Sequence, residues 1–162
     1  MPLNYRQNCK EDTMRPEAYE LEIKNFPFTV ELSTRFGDTD VLGHINNVAI
    51  AGLFEESRVK FGMFSRNSAF EEMSSFGAVV TASVIINYLG EVFYPDPVTI
   101  AVGVDKIGKS SHTLSCLMIQ NSKPVAHNRT VLVQFSDNGS TVLPQELVDM
   151  LEKFSVKKEG LN

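Results

Sequence analysis

The sequence predicts an α+β domain in which a curved antiparallel sheet of five strands wraps around one long central helix, with a second helix near the C-terminal end. Three observations support this fold class. Residues 28–36 alternate between apolar and polar side chains, which is typical of a half-buried strand. Residues 48–64 follow a helical period and begin apolar almost all round, which indicates a buried helix. Four further strand-like segments follow that helix.

The length and composition fit a single globular domain. The chain has 162 residues, of which 43% are hydrophobic and 22% are charged, and it is too short for two well-packed domains. We divide it into an irregular N-terminal arm (residues 1–25), one domain (26–156) and a polar tail (157–162). The arm has no sustained apolar period, and we assign it no chemistry.

The cysteine content and the charge exclude several classes of protein. Cys9 and Cys116 are too few for a disulfide framework and do not form a metal-type pair, so we expect a reducing compartment. We see no segment typical of a signal peptide or a membrane span, and we therefore expect a cytoplasmic protein without a membrane partner. A formal net charge of -5 argues against nucleic acid as a ligand, although basic residues that gather locally would still hold a small polyanion.

The first strand and the central helix are separated by a turn-rich segment. The apolar face of the strand carries Phe28, Val30, Leu32, Thr34 and Phe36. Residues 37–44 are rich in turn formers and should end the strand, after which Asn46 or Asn47 caps the helix. In the second half of the helix, Glu56 and Lys60 are spaced to form an ion pair across one turn.

The remaining elements follow a polar link over residues 65–75. We expect strands at about 78–89, 97–107, 111–120 and 124–136. The turn signals between them are short, which suits antiparallel neighbours, so we predict a meander. Pro144 then opens a last helix with one apolar face that carries Leu147, Met150, Leu151 and Phe154.

A lone helix that is apolar all round needs a sheet curved about it, and this arrangement is the hot-dog architecture. One such sheet leaves an exposed edge and part of the helix uncovered. We therefore expect pairing with a second copy of the chain.

The segment from Phe36 to Val48, continued by residues 53–58, resembles the signature of the 4-hydroxybenzoyl-CoA thioesterase family. It combines a D-x-D motif, Asp38 to Asp40, with a G-H-x-N-N motif that ends at Asn47. Both motifs occur at the junction between an alternating strand and a buried helix, which makes the signal specific. The order of elements over residues 27–137 is similar to that of the family as well.

This resemblance implies an acyl-CoA thioesterase that releases a free acid and CoA. It implies a homodimer or a dimer of dimers with active sites between subunits, and neither a metal nor another cofactor, since CoA is part of the substrate. Asp40 corresponds to the nucleophile or general base of the family, and the backbone N–H of Asn47 corresponds to the group that polarises the thioester carbonyl. Other branches place the carboxylate on the central helix, so Glu55 and Glu56 are alternative acids or bases.

One departure from the family concerns the acyl pocket. Many relatives carry a Tyr a few residues after the paired Asn, whereas this chain has Val48-Ala49-Ile50. We therefore expect a reshaped pocket.

The residue types fit thioester hydrolysis. The reaction needs a carboxylate nucleophile or an activated water, together with donors aimed at the carbonyl oxygen. Asp40 supplies the first, and the free N–H groups of the first helical turn supply the second. The structural alternative for Asp40 is a turn residue or cap, and Asp38 is interpreted as a residue that holds the loop by hydrogen-bonding backbone N–H groups.

Three other polar positions have two interpretations each. His44 either orients the carboxylate, binds the thioester or shuttles a proton, or it stabilises the loop. It has no near His or Cys companion for a metal site. Asn46 is either a helix cap or an amide that positions a water at the substrate. Cys116 shares a strand face with His112, and we interpret it as a buried thiol rather than a nucleophile.

The phosphates of CoA require local positive charge. We expect this charge from cations on adjoining strands and turns, although each of them alone also fits an ordinary surface charge. These residues are Lys106, Lys109, Lys123 and Arg129.

Three functions compete at this point. The first is hydrolysis of fatty or aromatic acyl-CoA, or of acyl carrier protein thioesters. The second is a non-catalytic hot-dog module that binds acyl-CoA. The third, an enoyl-CoA hydratase, ranks last, because we find no Asp and His placed as that branch places them.

Overall fold

The computed structural model describes residues 15–67 and 78–158. The sequence predictions for residues 1–14, 68–77 and 159–162 lie outside the described residues. The strands are β1 (Phe28–Leu32), β2 (Ala78–Tyr88), β3 (Val98–Ile107), β4 (Ser111–Gln120), β5 (Lys123–Ser136) and β6 (Gly139–Ser140). The helices are α1 (Asn47–Arg66) and α2 (Gln145–Glu152).

The sheet has the order β1-β3-β4-β5-β2, with every pairing antiparallel and with β6 paired to β5. This arrangement confirms the predicted α+β hot-dog fold and corrects the predicted meander, which covers only β3, β4 and β5. Residues 89–97 link β2 to β3 across two intervening strands, a separation of about 14 Å. The Pro95-to-Pro97 turn signal is only the last part of this longer connection.

β1 is shorter than predicted. It ends at Leu32, opposite the first residue of β3, Val98. Thr34 is still buried, but its hydroxyl donates to the carbonyl oxygen of Asp96 (3.0 Å), outside the sheet. Phe36 begins a single 3-10 turn and is 73% exposed, so the alternation of buried side chains stops before it.

The main core lies between one face of α1 and the inner face of the sheet. Ile50, Phe54 and Phe61 are buried there. The opposite face of the first two turns is open, since Val48 is 76% exposed and Gly52 is also exposed. The prediction of burial on every side of the helix is therefore wrong for a single chain, because one sheet covers only one face.

The outer face of the sheet is covered by the described part of the arm. Two single-turn 3-10 helices, Ala18–Leu21 and Ile23–Asn25, precede β1. Tyr19 and Leu21 pack into a second apolar cluster with Leu117 of β4. The arm therefore belongs to the folded domain from residue 18 onwards.

α2 closes one end of the core. Leu147 and Leu151 are buried, and Met150 is partly buried against the main core. Phe154 follows the end of the helix and stacks edge-on with Phe61 (5.6 Å between ring centroids). The predicted apolar face is confirmed, with Phe154 just beyond the helix. In the two described ranges, no helix has the length and apolar content needed to cross a membrane.

Candidate active site

The first turn of α1 leaves two backbone donors unused. Asn46 is the N-cap, and its side-chain oxygen accepts from the Ala49 N–H (2.9 Å). The Asn46 N–H donates to the carbonyl oxygen of Asp38 (2.8 Å). A helix start presents four N–H groups without intrahelical partners, and here the remaining two belong to Asn47 and Val48. Neither has an acceptor among the described residues, and both residues are exposed.

The loop before α1 is a small closed hairpin. Thr39 and Ile45 form an isolated antiparallel bridge, and the Asp40 N–H donates to the His44 carbonyl oxygen (2.8 Å). Gly43 adopts a positive φ of 83°, which suits glycine at the turn. The two Asn46 donors to the Asp38 carbonyl connect this hairpin to the start of α1. The loop and the helix start therefore form one unit.

Asp40 lies at the tip of this hairpin and is exposed in the single chain. Its Oδ1 accepts the N–H groups of Leu42 (2.8 Å) and His44 (3.1 Å). Its Oδ2 has no hydrogen-bond partner among the described residues. One oxygen thus orients the carboxylate, and the other is open for chemistry.

Asp38 has a structural role, as predicted, but its carboxylate bonds a guanidinium instead of the expected backbone N–H groups. Both of its carboxylate oxygens accept from the Arg35 guanidinium, at 2.9 and 3.0 Å. This bidentate pair occupies the side chain, while the main chain of Asp38 holds Asn46. Because its carboxylate is paired in this way, Asp38 is not a candidate base.

His44 contributes to the loop in two ways. Its backbone N–H, and not its imidazole, donates to Asp40. The ring packs edge-on against Phe93 (5.0 Å between centroids), and Nε2 lies 3.4 Å from a carboxylate oxygen of Glu91. The loop-stabilising interpretation therefore has direct contacts in the structure, whereas no contact joins the imidazole to Asp40.

An open groove of about 720 Å³ runs beside the start of α1. It is lined by Asn47 and Val48, by the Arg35–Asp38 pair, and by Glu56, which lies more than two turns further along the helix. Glu56 forms the predicted ion pair with Lys60 (3.5 Å). Glu55 is exposed and lies outside this groove, on the rim of a separate cavity. Of the two alternative carboxylates, only Glu56 lines the groove onto which the free helix donors open.

Asn46 is a cap rather than a free amide. Its Oδ1 accepts from Ala49, and its Nδ2 donates to the Asp38 carbonyl oxygen (2.7 Å). Both ends of the side chain are therefore engaged. Of the two interpretations given above, the structure supports the helix cap and not the substrate-binding amide.

The four cations do not form one cluster. Lys106 and Lys109 lie near the β3–β4 turn, and Lys123 lies at the β4–β5 turn. The ten residues of β4 separate these turns by about 30 Å. Lys123 lies at the sheet end that carries the Asp40 hairpin. Its neighbour Gln120 forms side-chain hydrogen bonds to the backbone of Phe93, and the Phe93 ring packs against His44 of the hairpin. Lys123 and the Lys106–Lys109 pair therefore do not share one phosphate site within a single chain.

Arg129 is bound on the outer face of the sheet, to Glu20 of the arm. Glu20 is fully buried, and its Oε1 also accepts from the Ser115 hydroxyl (2.8 Å) and lies 3.2 Å from His127 Nε2. Burial alone would raise the pKa of Glu20, but hydrogen bonds from His127 and Arg129 lower it to about 2. Nothing in the sequence pattern indicated this cluster.

The cluster has the residue types of a hydrolytic triad but not its geometry. The Ser115 hydroxyl donates to the carboxylate, and both the carboxylate and the hydroxyl approach the same imidazole nitrogen of His127. In a triad the carboxylate orients the other nitrogen. Because Ser115, His127 and Glu20 are all fully buried, the set is structural.

Cys116 is a buried free thiol, as interpreted from the sequence. Burial raises its pKa to about 12, which keeps it protonated and unreactive at neutral pH. Within the described ranges, no group of three or more His, Cys, Asp or Glu residues is arranged to hold a metal ion.

Comparisons with known proteins agree with this fold. The Thioesterase-like superfamily model matches residues 34–154. The uncharacterized protein YsmA of Bacillus subtilis (strain 168) is 33% identical over 120 residues, which cover 73% of this chain and 80% of that protein.

Two solved structures extend the comparison. A thioesterase from Thermus thermophilus, solved with coenzyme A and Zn, has a TM-score of 0.71 and 26% identity, and covers 80% of this chain and 95% of its own. A predicted thioesterase from Bacillus stearothermophilus has a TM-score of 0.70 and 27% identity, with coverages of 80% and 97%. The match of the family model over most of the domain, together with the fold, shows that the chain belongs to the thioesterase-like superfamily and confirms the predicted thioester hydrolase.

Proposed function

We propose that this thioester hydrolase acts on acyl-CoA, that the N–H groups of Asn47 and Val48 hold the thioester carbonyl oxygen, and that Asp40 is the nucleophile or general base. The observation that carries the proposal is the pair of unused donors at the start of α1. They open onto a groove and are connected to the Asp40 hairpin through Asn46. No side chain is needed to form this oxyanion site.

The chemistry follows from where charge develops. Attack on the thioester carbon by the Asp40 carboxylate, or by a water that gives its proton to Asp40, places negative charge on the carbonyl oxygen. The two N–H groups and the positive end of the helix dipole stabilise that charge. In the first route the C–S bond breaks, CoA leaves as the thiolate and takes up a proton, and water then cleaves the acyl–Asp40 anhydride to give the free acid and the free carboxylate. In the second route the C–S bond breaks, the proton on Asp40 passes to the thiolate, and the free acid forms directly.

Two observations support CoA as the carrier. The similar Thermus thermophilus thioesterase was solved with coenzyme A. Lys123 is exposed at the sheet end that carries the Asp40 hairpin, so it is our proposed contact for a CoA phosphate. We also propose a cytoplasmic location, which suits the buried free thiol of Cys116.

We further propose that the active unit is a homodimer or a dimer of dimers. β2 is an outer strand of the sheet and pairs only with β5 among the described strands. Val84 and Tyr88 of β2 are exposed, as is Val48 on the open face of α1. A second copy would bury these apolar groups and complete the strand edge. Light scattering after size exclusion should give at least twice the monomer mass, and Val84→Lys should shift it towards monomer. A monomeric wild type with full activity would contradict this part.

The test is a panel of short, long and aromatic acyl-CoAs assayed for free thiol, with wild type beside Asp40→Asn and Glu56→Gln. Wild type should release CoA from at least one member, Asp40→Asn should lose that activity, and Glu56→Gln should retain it within a few fold. If Glu56→Gln loses the activity and Asp40→Asn keeps it, the carboxylate assignment is overturned. If no substrate releases CoA while acyl-CoA still binds, the protein is a binding module instead.

A further inference from the structure

A second cavity lies away from the helix start. It has a volume of about 210 Å³ and lies between the second half of α1 and the inner face of β2, β4 and β5, with α2 at its border. Arg58, which lines it, is eleven residues after Asn47, or about 16 Å along the helix. The cavity and the groove proposed to bind the thioester share no lining residue, so they are separate sites.

One wall of the cavity carries a fixed cation. The Nη1 of Arg58 donates to the side-chain oxygen of Asn128 (3.1 Å). Asn128 is fully buried and is itself held, because the Thr130 hydroxyl donates to the same oxygen (2.9 Å) and the Asn128 amide donates to the Ile85 carbonyl (3.1 Å). No carboxylate of the described residues forms an ion pair with Arg58. The guanidinium is thus oriented by neutral groups and lacks an anionic partner there.

The same cavity contains an unpaired imidazole nitrogen. His112 is 6% exposed, and its Nδ1 has no hydrogen-bond partner among the described residues. Burial, with a smaller effect from the positive charge of Arg66, lowers the pKa of His112 to about 4. The ring is therefore neutral at pH 7, and the positive charge at this cavity comes from Arg58 and Arg66. A buried polar nitrogen without a partner destabilises the fold unless a ligand or water bonds it.

The rest of the lining is mixed. Its apolar part includes Phe61, Leu114, Leu132 and Leu151, and its polar part consists of Arg66, Ser65 and Thr81, with Glu55 on the rim. The volume is below the range of about 300 Å³ and upwards that is typical for drug-sized ligands. A cation, a neutral hydrogen-bonding ring and an apolar wall together match a small amphiphilic anion.

We propose that this cavity binds a small organic acid, with its carboxylate on Arg58, its apolar body against Phe61 and Leu114, and a polar substituent or carboxylate oxygen at His112. A planar guanidinium is well suited to a carboxylate, and burial among apolar groups strengthens the interaction. The site is independent of the thioester groove, and binding there does not require the proposed hydrolysis.

The experiment uses benzoate as the anionic probe and benzamide as its neutral counterpart. Calorimetry should show that wild type binds benzoate and that Arg58→Met weakens binding roughly ten- to hundredfold, the usual effect of losing a charged hydrogen bond. Arg58→Lys should bind with intermediate affinity. Lys60→Met removes a cation two residues away that does not line the cavity, and it should bind as wild type does.

Two further measurements separate this site from the active site and from folding defects. Asp40→Asn should keep the wild-type affinity for benzoate. In wild type, NMR signals of the His112 ring and of the Leu114 and Leu132 methyl groups should shift on titration. Absence of benzoate binding, equal binding of benzamide, or shifts confined to residues around Asn47 would each overturn the proposal, whether or not the protein hydrolyses thioesters.

Discussion

Two carboxylates in this chain show opposite uses of the same group. Glu20 is fully buried and accepts from Arg129 and Ser115, whereas Asp40 is exposed and is held by two backbone N–H groups through one oxygen. Glu20 joins the arm to the sheet through its side-chain contacts with Ser115, His127 and Arg129. The contacts of Asp40 orient it and leave Oδ2 open. A fully bonded carboxylate stabilises a fold, and a half-bonded one is available for a reaction.

Asp40→Asn gives the largest expected effect and tests the reactive role of the exposed carboxylate. Turnover should fall by roughly 100- to 1,000-fold, the size of effect seen when one essential transition-state interaction is lost. The free energy of unfolding should change by less than about 1 kcal/mol, because the amide oxygen can still accept the two N–H groups. Steady-state kinetics and urea unfolding on the same preparation measure both quantities. A rate loss that merely follows a loss of folded protein would contradict a catalytic role.

Glu20→Gln should produce the reverse pattern. Removing one member of a buried ion pair costs about 3 kcal/mol, so the urea midpoint should drop clearly. Turnover per folded molecule should stay within about twofold, since Glu20 lies on the outer face of the sheet. Glu22→Gln is the matched control, because Glu22 is on the same arm and is exposed, and its carboxylate has a single contact among the described residues, a surface one with Lys24. Equal stability of the two variants would contradict the role assigned to Glu20.

The comparison can be sharpened with pH. The pKa of Glu20 is about 2 in the folded chain and 4.5 ordinarily, so folding favours its ionised form. Its contribution to stability should be complete above pH 4.5 and should diminish as pH falls from 4.5 towards 2. The difference in unfolding free energy between wild type and Glu20→Gln should therefore be smaller at about pH 3 than at about pH 6. A difference that does not change with pH would contradict the shift.

Asn46→Ala should give the smallest effect and tests the link between hairpin and helix. Loss of an N-cap costs about 1 kcal/mol, and here the hydrogen bond from the Asn46 side-chain amide to the Asp38 carbonyl oxygen is also lost. We expect a turnover decrease of less than about tenfold, because the Asn47 and Val48 donors remain but the hairpin is held less firmly. Circular dichroism melts and initial rates measure both. A loss as large as that of Asp40→Asn would assign Asn46 a direct role at the substrate.

Local sequence signals predicted the elements but not their spatial order. The alternation of 28–36 and the helical period after Asn46 depend on near neighbours, so both elements appear within a few residues of their predicted positions. The crossing of 89–97 depends on the pairing of β2 with β5, which lies far along the chain, and no local pattern encodes that pairing. The exposed face of α1 was not predicted for a related reason: an apolar face looks the same whether its own sheet or a second chain covers it.

The candidate site was predicted in the same uneven way. The motif located the hairpin and the helix start, and Asn46 was named as one of two caps. The second free donor, the Val48 N–H, can be identified only once the cap geometry is known. The Ala49 N–H bonds the Asn46 side chain and the Asn46 N–H bonds Asp38, so the N–H groups of Asn47 and Val48 remain free. Glu20 and the separation of the lysines needed the tertiary structure, since their partners lie far away in the sequence.

The proposed oxyanion donors belong to the main chain, and this has a consequence for how such a protein can change over time. Replacement of the side chains at positions 47 and 48 would reshape the wall that an acyl group meets but would leave both N–H groups in place. New substrate preferences could therefore arise at these two positions by single substitutions, without an intermediate that has lost its reactivity.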